Sequence, residues 1–172
     1  MMTDEQRITM ELFGKHMQAE LDGDLDLTMA TMSERPHLHN VPTMIGGIGQ
    51  DGVRQFYKRH LVGKFFPPDV SFERVSITID DRQLVEELVI SFTHTVEIEW
   101  MLPRVEPTGK RVSVGFVVVV GVKDGKVTHE HIYWDQASVL VQIGLLDPAG
   151  LPVVGAESAA RILDPELSPK PY

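Results

Sequence analysis

With seven histidines and no cysteine, this sequence offers imidazole and carboxylate chemistry. It excludes disulfides, zinc–thiolate sites, iron–sulfur clusters and cysteine nucleophiles. His94 falls in an alternating run, Leu88, Ile90, Phe92, His94, Val96, Ile98 and Trp100. Strand side chains alternate between faces, so one imidazole sits in an apolar, inward-facing row. There it is either a hydrogen-bonded core residue or a base or donor facing a cavity, since imidazole needs only a small shift to work near neutral pH. Asp135 ends the run Val127–Trp134 and precedes a helical pattern. It suits an N-cap. It also suits proton shuttling, because an apolar pocket raises a carboxyl pKa.

The same run puts His129, His131 and Tyr133 on one face and Glu130, Ile132 and Trp134 on the other. One of the two sets must face solvent. His37 and His39 share a face of a short extended segment, Pro36–Asn40. Histidines spaced by one residue can chelate, but no carboxylate follows either pair at the spacing of a facial triad, so no metal is expected. His60 reads as a packing residue or polar lid on a helix, and His16 is assigned no role.

The elements that must position these residues change character along the chain. Thr3 or Asp4 caps a first helix with a stripe of Met10, Phe13, Met17 and Leu21. A short second helix runs to about Thr31. Residues 41–50, with three glycines and a proline, read as a mobile loop able to gate a pocket. Asp51–Lys64 reads as a third helix, stopped by Pro67-Pro68. Period-2 strands then follow at Val70–Ile79, Leu84–Trp100, Arg111–Val122 and Val127–Trp134, with a hairpin turn at Lys123–Lys126. Gln136–Gly144 reads as a helix with Gly144 as its stop. Five prolines beyond Leu145 suggest an extended arm. Helices followed by antiparallel strands make an α+β fold with helices on one face of a sheet.

The bulk numbers narrow the function. A chain of 172 residues, 42% hydrophobic and 24% charged, is one ordinary globular domain. A domain of this size buries roughly 70% of its unfolded surface, enough for a sizeable core. A net charge of −9 without a basic cluster makes nucleic acid and anionic membranes poor partners. The longest apolar stretch, Val114–Val122, is too short to span a bilayer. The opening MMTDEQRITMELFGKHM has no signal-peptide core, so a cytoplasmic location is expected. No Gly-x-Ser-x-Gly elbow, P-loop or dinucleotide fingerprint is present.

Several motifs, in order, resemble one family. They are the GxxGxxxFY run at Gly49–Tyr57, Phe66-Pro67-Pro68-Asp69, Thr93-His94 and Pro107-Thr108-Gly109-Lys110. They continue with Asp124-Gly125-Lys126 and with Trp134-Asp135 leading to Gln142-Ile143-Gly144. Over residues 5–146 the chain resembles the SnoaL-like, polyketide cyclase-containing branch of the NTF2-like superfamily. The resemblance implies a curved antiparallel sheet wrapped by N-terminal helices into a cone around a cavity, often as a homodimer. It implies one domain over residues 1–146, with 147–172 as an extension, and no cofactor. It also implies Asp135 as the catalytic acid/base, with His94 and His39 as catalytic partners. Tyr133, His131, Trp134, Trp100, Phe92, Tyr57 and His60 would line the substrate site. The expected activity is proton abstraction beside the carbonyl of a small, largely apolar substrate, leading to cyclisation, isomerisation or dehydration. Hydrolysis of a lactone, enol-lactone or epoxide is the alternative, and a binding protein without turnover is another. The superfamily hosts all of these. A pocket filled by Trp100, Trp134 and phenylalanines would instead indicate a structural module.

Overall fold

The structure, a computed structural model, describes residues 2–60 and 65–169. Helix α1 (Asp4–Leu21) starts at a capping box between Thr3 and Gln6, which satisfies two otherwise orphaned donors. Helix α2 (Leu25–Thr31) is capped by Asp24. Of the expected stripe, Phe13 is buried and Met10 and Met17 pack against the core, but Leu21 is 55% exposed. The buried face of α1 is wider than the stripe and also carries Thr9, His16, Ala19 and Glu20.

Strands β1 (Met32–Asn40) and β2 (Ile45–Ile48) follow, then α3 (Gly49–His60). The expected mobile loop is therefore largely a packed hairpin. A Cβ on Gly46 would meet the Leu38 carbonyl, and one on Gly47 would meet the Gly52 backbone. These glycines permit close approach of main chains. The expected end of the third helix, 61–64, lies outside the described residues.

Strands β3 (Ser71–Ile79), β4 (Gln83–Thr93), β5 (Arg111–Lys123) and β6 (Lys126–Trp134) complete one six-stranded sheet, ordered β2-β1-β6-β5-β4-β3. All neighbours are antiparallel except β1 and β6, which run parallel. The expected strand to Trp100 ends at Thr93, where the Asp69 carboxylate accepts from both the Thr93 amide and hydroxyl. The chain then leaves the sheet, and Ile98, Trp100, Met101 and Leu102 close over the core. The alternation through Leu88, Ile90, Phe92 and His94 does hold, and all four are buried.

Helix α4 (Gln136–Ile143) ends at Gly144 with φ 79°, the left-handed stop that glycine accepts. The tail is not simply an extended arm. It forms α5 (Glu157–Leu163), which packs against β5 and β4. Ile162 reaches over Gly115, and the Ser138 hydroxyl donates to the Gly155 carbonyl at 2.8 Å. Helices α1–α3 thus cover the sheet face bearing Glu130, and α5 covers part of the other.

Candidate active site

The buried polar centre forms where α1, α3 and β6 meet. His16 and Glu20, one turn apart on α1, face Glu130 on β6 and Tyr57 on α3, and all four are buried. His16 Nε2 lies 3.3 Å from Glu20 Oε1 and 3.5 Å from Glu130 Oε1. The Tyr57 hydroxyl donates to Glu130 Oε2 at 2.7 Å. On the other side of the imidazole, Thr31 Oγ1 is 2.5 Å from Nδ1. The Thr31 hydroxyl spends its only hydrogen on the Thr28 carbonyl, so it accepts from His16, and Nδ1 carries a proton. A second proton on Nε2 makes an imidazolium directed at two carboxylates.

The electrostatics agree. Burial pulls the His16 pKa down, but Glu130 and then Glu20 outweigh it and hold it well above 6.5. Burial raises Glu20, and repulsion from Glu130 adds to this against the attraction of His16. Burial also pushes Glu130 upward, but His16 and the Tyr57 hydroxyl overcome it and keep Glu130 below its usual value. Burial, then Glu130 and Glu20, lift Tyr57 well above 10. The cluster therefore pairs a Glu130 carboxylate with a His16 imidazolium, and Glu20 is the carboxyl group that more readily keeps a proton. Burying such groups costs several kcal/mol per ion before pairing offsets it, as an order-of-magnitude figure. His16, Glu20 and Glu130 also form the one group of three or more metal-ligating side chains, among the described residues, whose ligand atoms lie within 4.8 Å of one another.

Two further polar atoms face the interior unpaired. Asn40 is fully buried and donates to the Ile45 carbonyl, leaving Oδ1 without a partner. It pairs in register with Ile132, two residues along β6 from Glu130. His94 Nδ1 lies 3.3 Å from the Thr108 amide, which donates to it. Its hydrogen therefore sits on Nε2, a buried donor with no partner. Burial lowers the His94 pKa.

The residues picked from the sequence do not converge. Asp135 is exposed, and its carboxylate accepts from the Ser138 amide as the N-cap of α4. No hydrogen bond or ion pair joins Asp135, His94 and His39 among the described residues. His39 and His131 pair across β1 and β6 on the face away from Glu130, and Tyr133 follows in phase, 43% exposed. Trp100, Trp134 and Phe92 are buried in an aromatic layer with Phe66 and Phe116, in which Trp100 and Trp134 meet edge to face at 5.5 Å. These rings, expected to line the substrate site, pack on one another. His60 packs on Phe56, beside Arg59, Glu97 and Glu99. Tyr57 alone of the expected set joins the buried centre. Glu130 lies on the face of β6 opposite His131, as the alternation predicts, while His16 and Glu20 have no role in the sequence reading. Their spacing of four residues on one helix, with a carboxylate and an imidazole, was the available signal.

Gln142, seven residues after Asp135, has a structural role. Its amide accepts from the Ser113 amide at 2.8 Å and donates to the Ser113 carbonyl at 2.9 Å. It completes the sheet ladder beyond the end of β6.

Comparison with known proteins bears on the whole arrangement. The family model for SnoaL-like polyketide cyclase matches residues 15–143. No curated protein matches in sequence. A protein from Jannaschia sp. CCS1 assigned as SnoaL-like polyketide cyclase is 16% identical, with a TM-score of 0.66, covering 86% of this chain and 99% of that one. An NTF2-like protein of unknown function from Burkholderia xenovorans LB400 is 20% identical, with a TM-score of 0.54 and coverages of 77% and 87%. The epoxide hydrolase/cyclase-like enzyme SalBIII, described in pyran ring formation in the polyether salinomycin, is 18% identical. Its TM-score is 0.56 and the coverages are 78% and 95%. At these identities the structures establish the NTF2-like fold. No helix among the described residues is long and apolar enough to cross a membrane.

Proposed function

We propose, from the premise that the chain belongs to the SnoaL-like polyketide cyclase family, that the protein is a cofactor-independent acid/base enzyme. Its substrate would be a small, largely apolar carbonyl compound. The supporting observation is the His16 imidazole, held by Thr31 at Nδ1 and facing Glu20 and Glu130 at Nε2. In this reading Glu130, rather than the exposed Asp135, takes the proton beside the substrate carbonyl. His16 supplies charge and returns a proton, and Tyr57 holds Glu130 in place. Perturbed carboxylate–imidazole clusters of this kind are what proton transfer near pH 7 requires. Cyclisation, isomerisation and dehydration all begin with that abstraction.

The test is incubation of the protein in heavy water with a panel of aromatic and polycyclic ketones. Enzyme-dependent deuterium at the carbon beside the carbonyl supports the reading. No exchange across the panel, with ligand retained unchanged in native mass spectra, would favour a binding protein. Hydrolysis of a lactone or epoxide is the second reading, since the same pair could activate water and a fold neighbour is an epoxide hydrolase/cyclase-like enzyme. Oxygen-18 from solvent in the product would identify it. A homodimer in the cytoplasm belongs to the same proposal, and sedimentation velocity tests the dimer.

A further inference from the structure

On the face of the sheet away from His16, four histidines gather. In the parallel pairing of β1 and β6, His37 stands opposite His129 and His39 opposite His131. The His37 and His129 rings stack with centroids 5.0 Å apart and planes 11° apart. His129 and His131 approach to 4.7 Å, and His39 turns an edge to His131. The closest atoms are His37 Nε2 and His131 Nε2, 2.9 Å apart. Their facing ring nitrogens can share one proton or, when both lone pairs are free, grip one cation.

We propose that His37 Nε2 and His131 Nε2 form a chelating site for a divalent transition metal of the copper(II) or nickel(II) kind. Metal–imidazole bonds of about 2.0–2.1 Å place two nitrogens about 2.9 Å apart when they subtend a right angle at the metal. A tetrahedral angle would instead need about 3.3–3.4 Å. The observed 2.9 Å thus fits adjacent corners of a tetragonal site, the geometry that copper(II) and nickel(II) favour. The strands supply the pre-organisation. Both backbones are fixed by the ladder, so little freedom is lost when the rings close on an ion. The two histidines come from different strands, which is why the spacing within either strand gave no ligand pattern. Beside the pair runs a groove of about 770 Å³, bordered by His39, Met44, Gly46 and Ile48. It leaves the metal's other positions open to water or to a small oxygen- or nitrogen-donor ligand. The site is independent of the His16 cluster, which lies across the sheet.

The test uses tag-free, full-length protein with copper(II) alone at neutral pH. Electron paramagnetic resonance should show a one-to-one tetragonal complex with two imidazole nitrogens. His37→Gln and His131→Gln, made separately, should each weaken binding strongly. Partners outside the ligand shell already contribute about 10- to 100-fold in affinity, so loss of a ligand should reach about 100-fold or more. His60→Gln should leave binding unchanged. In the wild type, copper should broaden the His37 and His131 ring resonances before that of His16, a result that needs no variant to fold. Binding that survives both substitutions, or first broadening at His16, would overturn the proposal.

Discussion

Tyr57 and Glu130 are 73 residues apart in the chain, and the tyrosine hydroxyl donates to the carboxylate at 2.7 Å, with both groups buried. This bond joins α3 to the central part of the sheet and fixes one oxygen of Glu130 while the other faces His16. Tyr57→Phe removes the donor and leaves the ring. A buried acceptor deprived of its partner costs about 1–3 kcal/mol. Urea unfolding should show a loss in that range, and the Glu130 pKa should rise.

The pH dependence of stability follows from the same cluster. His16 sits well above 6.5. Its contribution is complete below about 6.5 and is lost as pH rises through the raised folded value. Glu20, raised from 4.5, also contributes less as pH climbs. Glu130, held below 4.5, contributes above that value and loses its contribution as pH falls through the lowered one. His60, His94, His129 and His131 are all lowered, so their opposing gain is complete by about 6.5. Between pH 7 and 9 the unfolding free energy should therefore fall, and Glu130→Gln should flatten the slope. Urea titrations at several pH values measure both.

Asp135 and Gln142 were legible in the sequence as a pair, and the structure gives both structural work. Asp135→Ala should cost about 0.5–2 kcal/mol through loss of the α4 cap, and Asp135→Ser should recover most of it. Catalysis, once a substrate is found, should be nearly unaffected in the serine variant. A loss of turnover by orders of magnitude with normal stability would return the acid/base role to Asp135.

Gln142→Leu removes both hydrogen bonds to the Ser113 backbone. Stability should fall by about 1–3 kcal/mol, because a backbone donor and acceptor lose their partner together. Amide hydrogen exchange should rise first at Ser113, which localises the effect.

Alternation located β5, β6 and the inward row from Leu88 to His94, because period 2 reports burial there, and it also marked β3, although that edge strand is exposed along most of its length. It overran at Thr93, since residues 96–100 keep the alternation while folding over the core instead of pairing. The site was less legible. His16 and Glu20 are polar residues on the buried face of α1, and a hydrophobic stripe passes over such positions. Partners distant in the chain, Thr31, Tyr57 and above all Glu130 more than a hundred residues away, explain their burial. The tail helix was hidden by its prolines, although Glu157–Leu163 between them contains none.

The central claim is that Glu130, paired with His16, moves the proton. Deuterium exchange into a responsive ketone, compared between wild type and Glu130→Gln, tests it most directly. General acid–base groups contribute about 10²- to 10⁴-fold. The variant should lose exchange by that order, with a far-ultraviolet circular dichroism spectrum like the wild type's and cooperative unfolding retained. Exchange at the wild-type rate in a folded Glu130→Gln protein would contradict the account.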